Sequence, residues 1–166
     1  NQTETFTTKT VLLALGRRGT PRKLNVPGEM SEKVAYRLLD PELIKNKKVL
    51  VVGGGDSAIE SALLLANDNK VTLSYRSDKF NRLKSKNQAL INSAMQTGLV
   101  DVKFSTNVKF INPENVIITQ KDSETEIVLD NDLVYIFAGG EMPTDFLQKI
   151  GIEINTKHGE VVLKHK

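Results

Sequence analysis

Apolar positions along this chain fall into runs of two different periods. Lys48-Val49-Leu50-Val51-Val52 is apolar without alternation, the pattern of a strand buried on both faces of a parallel sheet, and it runs directly into Gly53-Gly54-Gly55. From Ser57 to Ala66 the apolar residues Ile59, Ala62, Leu63 and Ala66 recur at helical spacing, which predicts a helix after the glycines. Lys70 to Tyr75 predicts a second strand. A second helix is expected from about Leu83 to Gln96, carrying Leu83, Leu90 and Ala94 with the offset pair Ile91 and Met95; Gly98 suits the position just past its end.

Upstream, Val11 to Gly16 predicts a buried strand, followed by a basic, turn-rich loop that ends at Pro27-Gly28. Asp40-Pro41-Glu42-Leu43 predicts a short helical turn capped by Asp40, with Pro at the first helical position. Downstream, Asp101 to Phe104, Asn107 to Ile111, Val116 to Thr119 and Glu126 to Leu129 are short strand patterns between polar turns, expected to form a meander. Leu133 to Ala138 closes the sheet and ends in Gly139-Gly140. The order predicts an α/β fold: a Rossmann-like three-layer domain, with a central parallel sheet, helices on one side and a small β-meander on the other.

Composition narrows the chemistry. The 166 residues are 39% hydrophobic and 26% charged, within the globular range. There is no Cys, so disulfides, thiolate metal sites and Cys nucleophiles are excluded; the two His, His158 and His165, both near the C-terminus, leave little for a metal site or triad. No apolar run reaches the roughly 20 residues of a membrane helix and no leader opens the chain, so neither a membrane span nor a signal peptide is expected and the expected location is cytoplasmic.

The net charge is +3, but its distribution is uneven. Between Lys70 and Lys86, six basic residues (Lys70, Arg76, Lys79, Arg82, Lys84, Lys86) face Asp78 alone, while Lys121 to Asp132 is acidic. The basic stretch has too little aromatic interleaving to stack a nucleic-acid strand, so a small anionic ligand is expected instead.

Gly53-Gly54-Gly55-Asp56-Ser57-Ala58 fits G-x-G-x-x-A between a strand and a helix. In dinucleotide binding, Gly53 would allow the tight turn, Gly55 would let the backbone approach a pyrophosphate, and Ala58 would permit close helix packing, with the helix N-terminus facing the phosphates. The plainer alternative is a tight strand-to-helix turn without a ligand. NAD sites place an acid at the end of the second strand, where this chain has Ser74-Tyr75-Arg76-Ser77 and no acid before Asp78. Arg76 with Ser77, Arg82 and Lys84 would instead suit a 2′-phosphate; the alternative is a solvated basic loop. Ser57-Ala58-Ile59-Glu60 is formally a capping box and Asp56 a further N-cap candidate, whereas Glu60 on the first turn would also lie where it could orient a nicotinamide.

Val11 to Gly16 with Pro27-Gly28-Glu29, the loop Gly53 to Glu60, Tyr75-Arg76 with the basic residues after it, and Val134 to Pro143 span most of the chain. In these segments it resembles the NAD(P)H domain of thioredoxin-reductase-like flavoproteins, within the pyridine nucleotide-disulfide oxidoreductase group. The resemblance implies that residues 1–30 cross from an FAD domain, 31–140 form the NAD(P)H-binding domain, and 141–166 return, with Ala14-Leu15-Gly16 and Ala138-Gly139-Gly140 as the two crossings. It implies a cofactor site of Gly53, Gly54, Gly55, Asp56, Ser57, Ala58, Glu60, Tyr75, Arg76, Ser77, Arg82, Lys84, Gly139 and Gly140, with no bond-making residue.

Three departures qualify the resemblance. Tyr36-Arg37-Leu38-Leu39 stands where thioredoxin reductases carry Cys-x-x-Cys. Tyr75-Arg76-Ser77 keeps one Arg of the His-Arg-Arg signature for NADPH. The FAD-binding motifs are absent, and the chain starts at Asn1. The expectation is an excised domain of a larger flavoenzyme, inactive alone, that binds NADP(H) in preference to NAD(H). It would position the nucleotide for hydride transfer to FAD held mostly by other segments of the parent chain. The partners expected are that FAD domain and an electron acceptor that the sequence does not identify, and a homodimer is compatible with the chain. The rival class is a non-catalytic nucleotide-sensing Rossmann module.

Overall fold

The computed structural model describes residues 4–12, 14, 20–121, 123, 125–141 and 143–154, and the chain divides into two compact units. One is Pro21–Gly139; the other joins residues 1–20 to residues 140–166.

Pro21–Gly139 contains β1 (Val34–Ala35), β2 (Lys48–Val52), α1 (Asp56–Ala66), β3 (Lys70–Tyr75), α2 (Ser85–Gln96), β4 (Val100–Phe104), β5 (Thr106–Ile111), β6 (Asn115–Gln120), β7 (Glu126–Asp130) and β8 (Leu133–Ile136). A five-stranded parallel sheet runs β1-β8-β2-β3-β4, and β5-β6-β7 form a separate antiparallel sheet. Successive side chains of β2 leave by opposite faces. Val49 and Val51 join the core made with Ile59, Ala62 and Leu65 of α1 and Ile91 of α2, whereas Leu50 packs with Val108, Val116 and Ile118 of the antiparallel sheet. With cover on both faces, β2 has no need of polar alternation. The three layers are those expected from the sequence.

Several local expectations are corrected. The strand over Asp101 to Phe104 exists as β4 but does not belong to the meander: it pairs in parallel with β3, Leu73 opposite Val102, at the edge of the main sheet. In α2, Ile91 is fully buried while Leu90 remains 46% exposed, because the inward stripe is Asn87, Ile91 and Ala94. Asp40 does not cap the single 3₁₀ turn Pro41–Leu43 through its side chain; it takes a left-handed φ of 46° and its backbone carbonyl accepts from Leu43 N–H. Strand β1 has too short an apolar pattern to be legible and is made a strand by pairing with β8.

The segment Pro27-Gly28-Glu29 has a structural task. Gly28 has φ +83°, and a Cβ there would stand 1.8 Å from the Ile111 carbonyl oxygen, while Ile111 N–H donates to Pro27 O at 3.0 Å. Buried Glu29 closes the preceding turn: its carboxylate accepts from the N–H groups of Leu24 (2.7 Å), Asn25 (2.6 Å) and Val26 (3.4 Å) and from the Tyr36 hydroxyl (2.7 Å). Burial by itself would raise its pKa, but these donors outweigh burial and hold the carboxyl below its ordinary range. The same pair, buried together, pushes the Tyr36 phenol up to about 12.

In the other unit, α3 (Thr144–Lys149) follows Glu141, whose N–H donates to Thr20 O at 2.9 Å. Of the buried strand expected over residues 11 to 16, Leu13, Leu15 and Gly16 lie outside the described residues; Val11, Leu12 and Ala14 are exposed and belong to no strand, since an apolar run forms one only where a neighbouring strand takes up its N–H and C=O groups.

Candidate functional site

The connections leaving and entering the sheet diverge at β2. From β2 the chain crosses through α1 to β3 on one side, and after β4 to β7 it returns as β8 on the other. The crevice beyond the carboxyl ends of β2 and β8 is thus the topological switch point, the place where open α/β sheets bind ligands. The glycine turn occupies it. Gly53 N–H donates to Ser74 O at 3.0 Å and Phe137 N–H to Val52 O at 2.7 Å. At φ +143°, a Cβ on Gly53 would stand 2.6 Å from the Phe137 carbonyl oxygen and 3.1 Å from the Ala58 side chain, so the turn needs glycine for its shape.

Gly55 differs from Gly53. Its φ of −97° and ψ of 172° suit any residue, and a Cβ there would meet nothing within 4 Å. It is the N-cap of α1, with no side chain capping the helix. Ala58 and Ile59 donate their N–H groups to Gly55 O at 3.0 and 3.1 Å, and Ala58 is fully buried against the sheet. Among the described residues, the N–H groups of Gly54, Gly55, Asp56 and Ser57 have no hydrogen-bond acceptor. Gly55 and Ser57 are exposed and Asp56 partly so at the positive end of α1, whereas Gly54 is buried beneath the Tyr75 ring. Of the two readings of Ser57 to Glu60, the capping box does not form: Ser57 and Asp56 lie inside the helix, because Gly55 already holds the capping position.

Asp56 and Glu60 face α2. Buried Asn87 donates through Nδ2 to Asp56 Oδ1 at 2.7 Å and to Glu60 Oε1 at 2.8 Å, and Lys84 N–H also donates to Asp56 Oδ1, at 3.1 Å. The bond from Asn87 chiefly, with that from Lys84, holds the Asp56 carboxyl below the usual carboxylate range. Sequence reasoning missed Asn87 because a polar helical residue is normally exposed; its signal was its place in the stripe 87, 91, 94.

Tyr75, at the end of β3, lays its ring over the turn. A Cβ at Gly54 would stand 2.3 Å from the Tyr75 ring carbons. The same ring stacks on Phe80 (centroids 5.5 Å apart, planes at 14°), and Phe80 meets Phe104 edge to face at 4.9 Å. The segment 76–84 thus returns beside the glycine turn, with Ser77 O accepting from Ser105 N–H at 3.0 Å. Arg76, Arg82 and Lys84 are exposed, Ser77 is partly buried, and among the described residues none makes an ion pair.

Gly139 (φ +89°) has open space where a Cβ would stand, and its carbonyl accepts from Arg22 N–H at 2.9 Å; Gly140 belongs to the other unit. His158 and His165 lie outside the described residues. Among the described residues no acidic or His cluster is placed to hold a metal, and no helix is long and apolar enough to cross a membrane. A hollow of about 320 Å³ at the opposite, amino-terminal end of the strands is lined by Lys48, Lys70, Asp101 and Asp130 among others; its charges balance, so it offers no field for an anion. The glycine turn combines bare amides, a helix N-terminus and a basic loop, which is what a phosphorylated ligand requires.

Residues 1–166 match the family described as pyridine nucleotide-disulphide oxidoreductase. The chain is 30% identical over 151 residues to a ferredoxin–NADP reductase of Ignicoccus hospitalis, covering 90% of this chain and 49% of that protein. It is 29% identical over 158 residues to the bacilliredoxin reductase Bdr of Bacillus subtilis, covering 94% and 48%. Among solved structures, the bacillithiol disulfide reductase Bdr of Staphylococcus aureus superposes with a TM-score of 0.79 at 26% identity, over 83% of this chain and 43% of that one. Thioredoxin reductase of Streptococcus pyogenes gives 0.66 at 30% identity, over 80% and 45%. The chain spans about half the length of the curated relatives it matches.

Proposed function

Because this chain belongs to the pyridine nucleotide-disulphide oxidoreductase family, we propose that Pro21–Gly139 binds a nicotinamide dinucleotide at the glycine turn and acts as the NAD(P)H-binding domain of a flavin-dependent oxidoreductase. The observation that carries the proposal is Gly55. Neither its backbone angles nor any neighbour requires glycine there, yet a side chain would project into the open space at the start of α1. Room kept at that position suits a pyrophosphate.

The residues present fit such a ligand. The N–H groups of Gly54, Gly55, Asp56 and Ser57 would hold the diphosphate at the positive end of α1, with Gly53 and Ala58 shaping the turn and Gly139 closing the segment after β8. Arg76, with Ser77, Arg82 and Lys84, would take a 2′-phosphate, and the absence of an acid directly after Tyr75 favours NADPH over NADH. That one relative is named a ferredoxin–NADP reductase is in keeping with this cofactor class. Asp56 and Glu60 would support the site indirectly, by fixing α2 through Asn87.

A nicotinamide nucleotide held here would supply a hydride to a flavin bound by other segments of the parent enzyme. The part of this chain is orientation: it fixes the phosphates, and no side chain of the site need exchange a proton. Without Cys it has no dithiol relay of its own, so the electron acceptor lies elsewhere. Calorimetric titration with NADPH and NADH tests the reading. NADPH binding at least tenfold tighter than NADH is the expected result, the worth of about one charge-assisted phosphate contact; no heat of binding with either overturns it.

A further inference from the structure

The basic loop between β3 and α2 is electrostatically self-opposed. Arg76, Lys79, Arg82 and Lys84 share nine residues with one acid, Asp78, and among the described residues none of them forms an ion pair. Like charges at such spacing repel, and an exposed loop would spread to relieve them. What opposes spreading in its middle is Phe80. Its half-buried ring stacks on Tyr75 and meets Phe104 of β4 edge to face, both within the range of favourable aromatic pairs. Tyr75 in turn lies on Gly54, where no Cβ leaves room for it otherwise. Gly54, Tyr75, Phe80 and Phe104 form a continuous packed column from the glycine turn to the edge strand, and its third member holds the middle of the loop between the bonds that Ser77 O and Lys84 N–H make near its ends.

We propose that Phe80 is a positioning residue: it anchors the loop 76–84 beside the glycine turn and thereby sets how strongly the site discriminates a phosphorylated from an unphosphorylated adenosine ribose. This rests on the dinucleotide reading of the site. Phe80 touches no ligand in that reading; it fixes where the Arg76 and Arg82 guanidinium groups can reach. The diphosphate cradle is built from the backbone of residues 53–57 and does not depend on it.

Two measurements on the full chain carrying Phe80→Ala test the proposal. Limited trypsin digestion without nucleotide reads the anchor directly, since Arg76, Lys79, Arg82 and Lys84 are all cleavage sites and cutting follows the population of the opened loop. Cleavage in this segment is expected to accelerate about tenfold, with the rest of the digest unchanged. Titration reads the consequence: NADPH binding weakens about tenfold while NADH binding holds, as for loss of one charge-assisted contact, and Phe80→Tyr, which keeps the ring, restores both readouts. Should the Ala variant fail to fold by circular dichroism, Phe80→Leu, which fills the core without a stacking ring, carries the same expectation. Unchanged cleavage, or equal weakening of both nucleotides, overturns the proposal. A wild-type protein that binds neither nucleotide would sink the dinucleotide reading instead, and the proposal with it, while the digestion still decides whether Phe80 anchors the loop.

Discussion

The ring of Tyr75 occupies the space that a side chain on Gly54 would need, with ring carbons 2.3 Å from where a Cβ would stand. The two outer glycines of the triplet have other reasons: Gly53 a strained φ, Gly55 vacant room. Gly54→Ala must push the ring off its stack with Phe80. It is expected to cost about 1–3 kcal/mol, as for overpacking of a filled site. Gly55→Val is expected to cost at most about 1 kcal/mol in urea unfolding, as for a poor N-cap residue, and to abolish nucleotide binding. The reverse ranking in the urea midpoints would contradict these assignments.

Arg76 follows directly on Tyr75 and is exposed. Arg76→Ala should weaken NADPH about tenfold and NADH hardly at all, the loss expected of one charge-assisted phosphate contact. Salt should weaken NADPH binding to wild type more steeply than to the variant. Equal losses for both nucleotides in parallel titrations would move Arg76 to the shared diphosphate or out of the site.

Asn87 joins two carboxylates that would otherwise repel, Asp56 and Glu60. Asn87→Asp replaces the shared donor with a third acid. The new carboxyl, crowded by two others, has its folded-state pKa raised, so the penalty is full at neutral pH and fades as the medium is acidified towards about pH 4. Thermal melts at pH 7 and pH 5 are expected to show a deficit that shrinks at the lower pH. A deficit independent of pH would show that shape, not charge, matters at this position.

Glu29 acts in the opposite direction. Its donors hold the folded-state carboxyl below its ordinary 4.5, so its stabilisation is present above pH 4.5 and is lost as pH falls through the folded value. Glu29→Gln, which presents an amide to backbone donors, should cost about 1–3 kcal/mol at pH 7 in urea unfolding. The gap to wild type should narrow below pH 4.5. A gap that widens on acidification would contradict the assigned sign.

The parts of this fold that were legible in the sequence are those whose signal is local. The unbroken apolar run of β2, the glycines after it and the helical spacing of Ile59 and Ala62 identify the core of the unit and its switch point. What could not be seen depends on partners far along the chain. Val34-Ala35 is a strand because Val134 and Tyr135 lie beside it, and Asp101 to Phe104 joins the main sheet because β3 offers a free edge. The burial of Ile91 rather than Leu90 follows from Asn87 being turned inward to two acids. For the site, the sequence pointed to the turn and the basic loop. It did not reveal that Tyr75 and Phe80 join them, since stacking is invisible to spacing.

Whether a dinucleotide's diphosphate rests on the amides of the glycine turn is decided by an amide-resolved NMR titration of the protein with NADPH. Saturable shifts are expected at Gly54, Gly55, Asp56 and Ser57 together with Arg76, and none around Lys48 and Lys70 at the far, amino-terminal end of the strands. Shifts confined to that far end, with the glycine turn unmoved at saturation, would contradict this placement of the diphosphate.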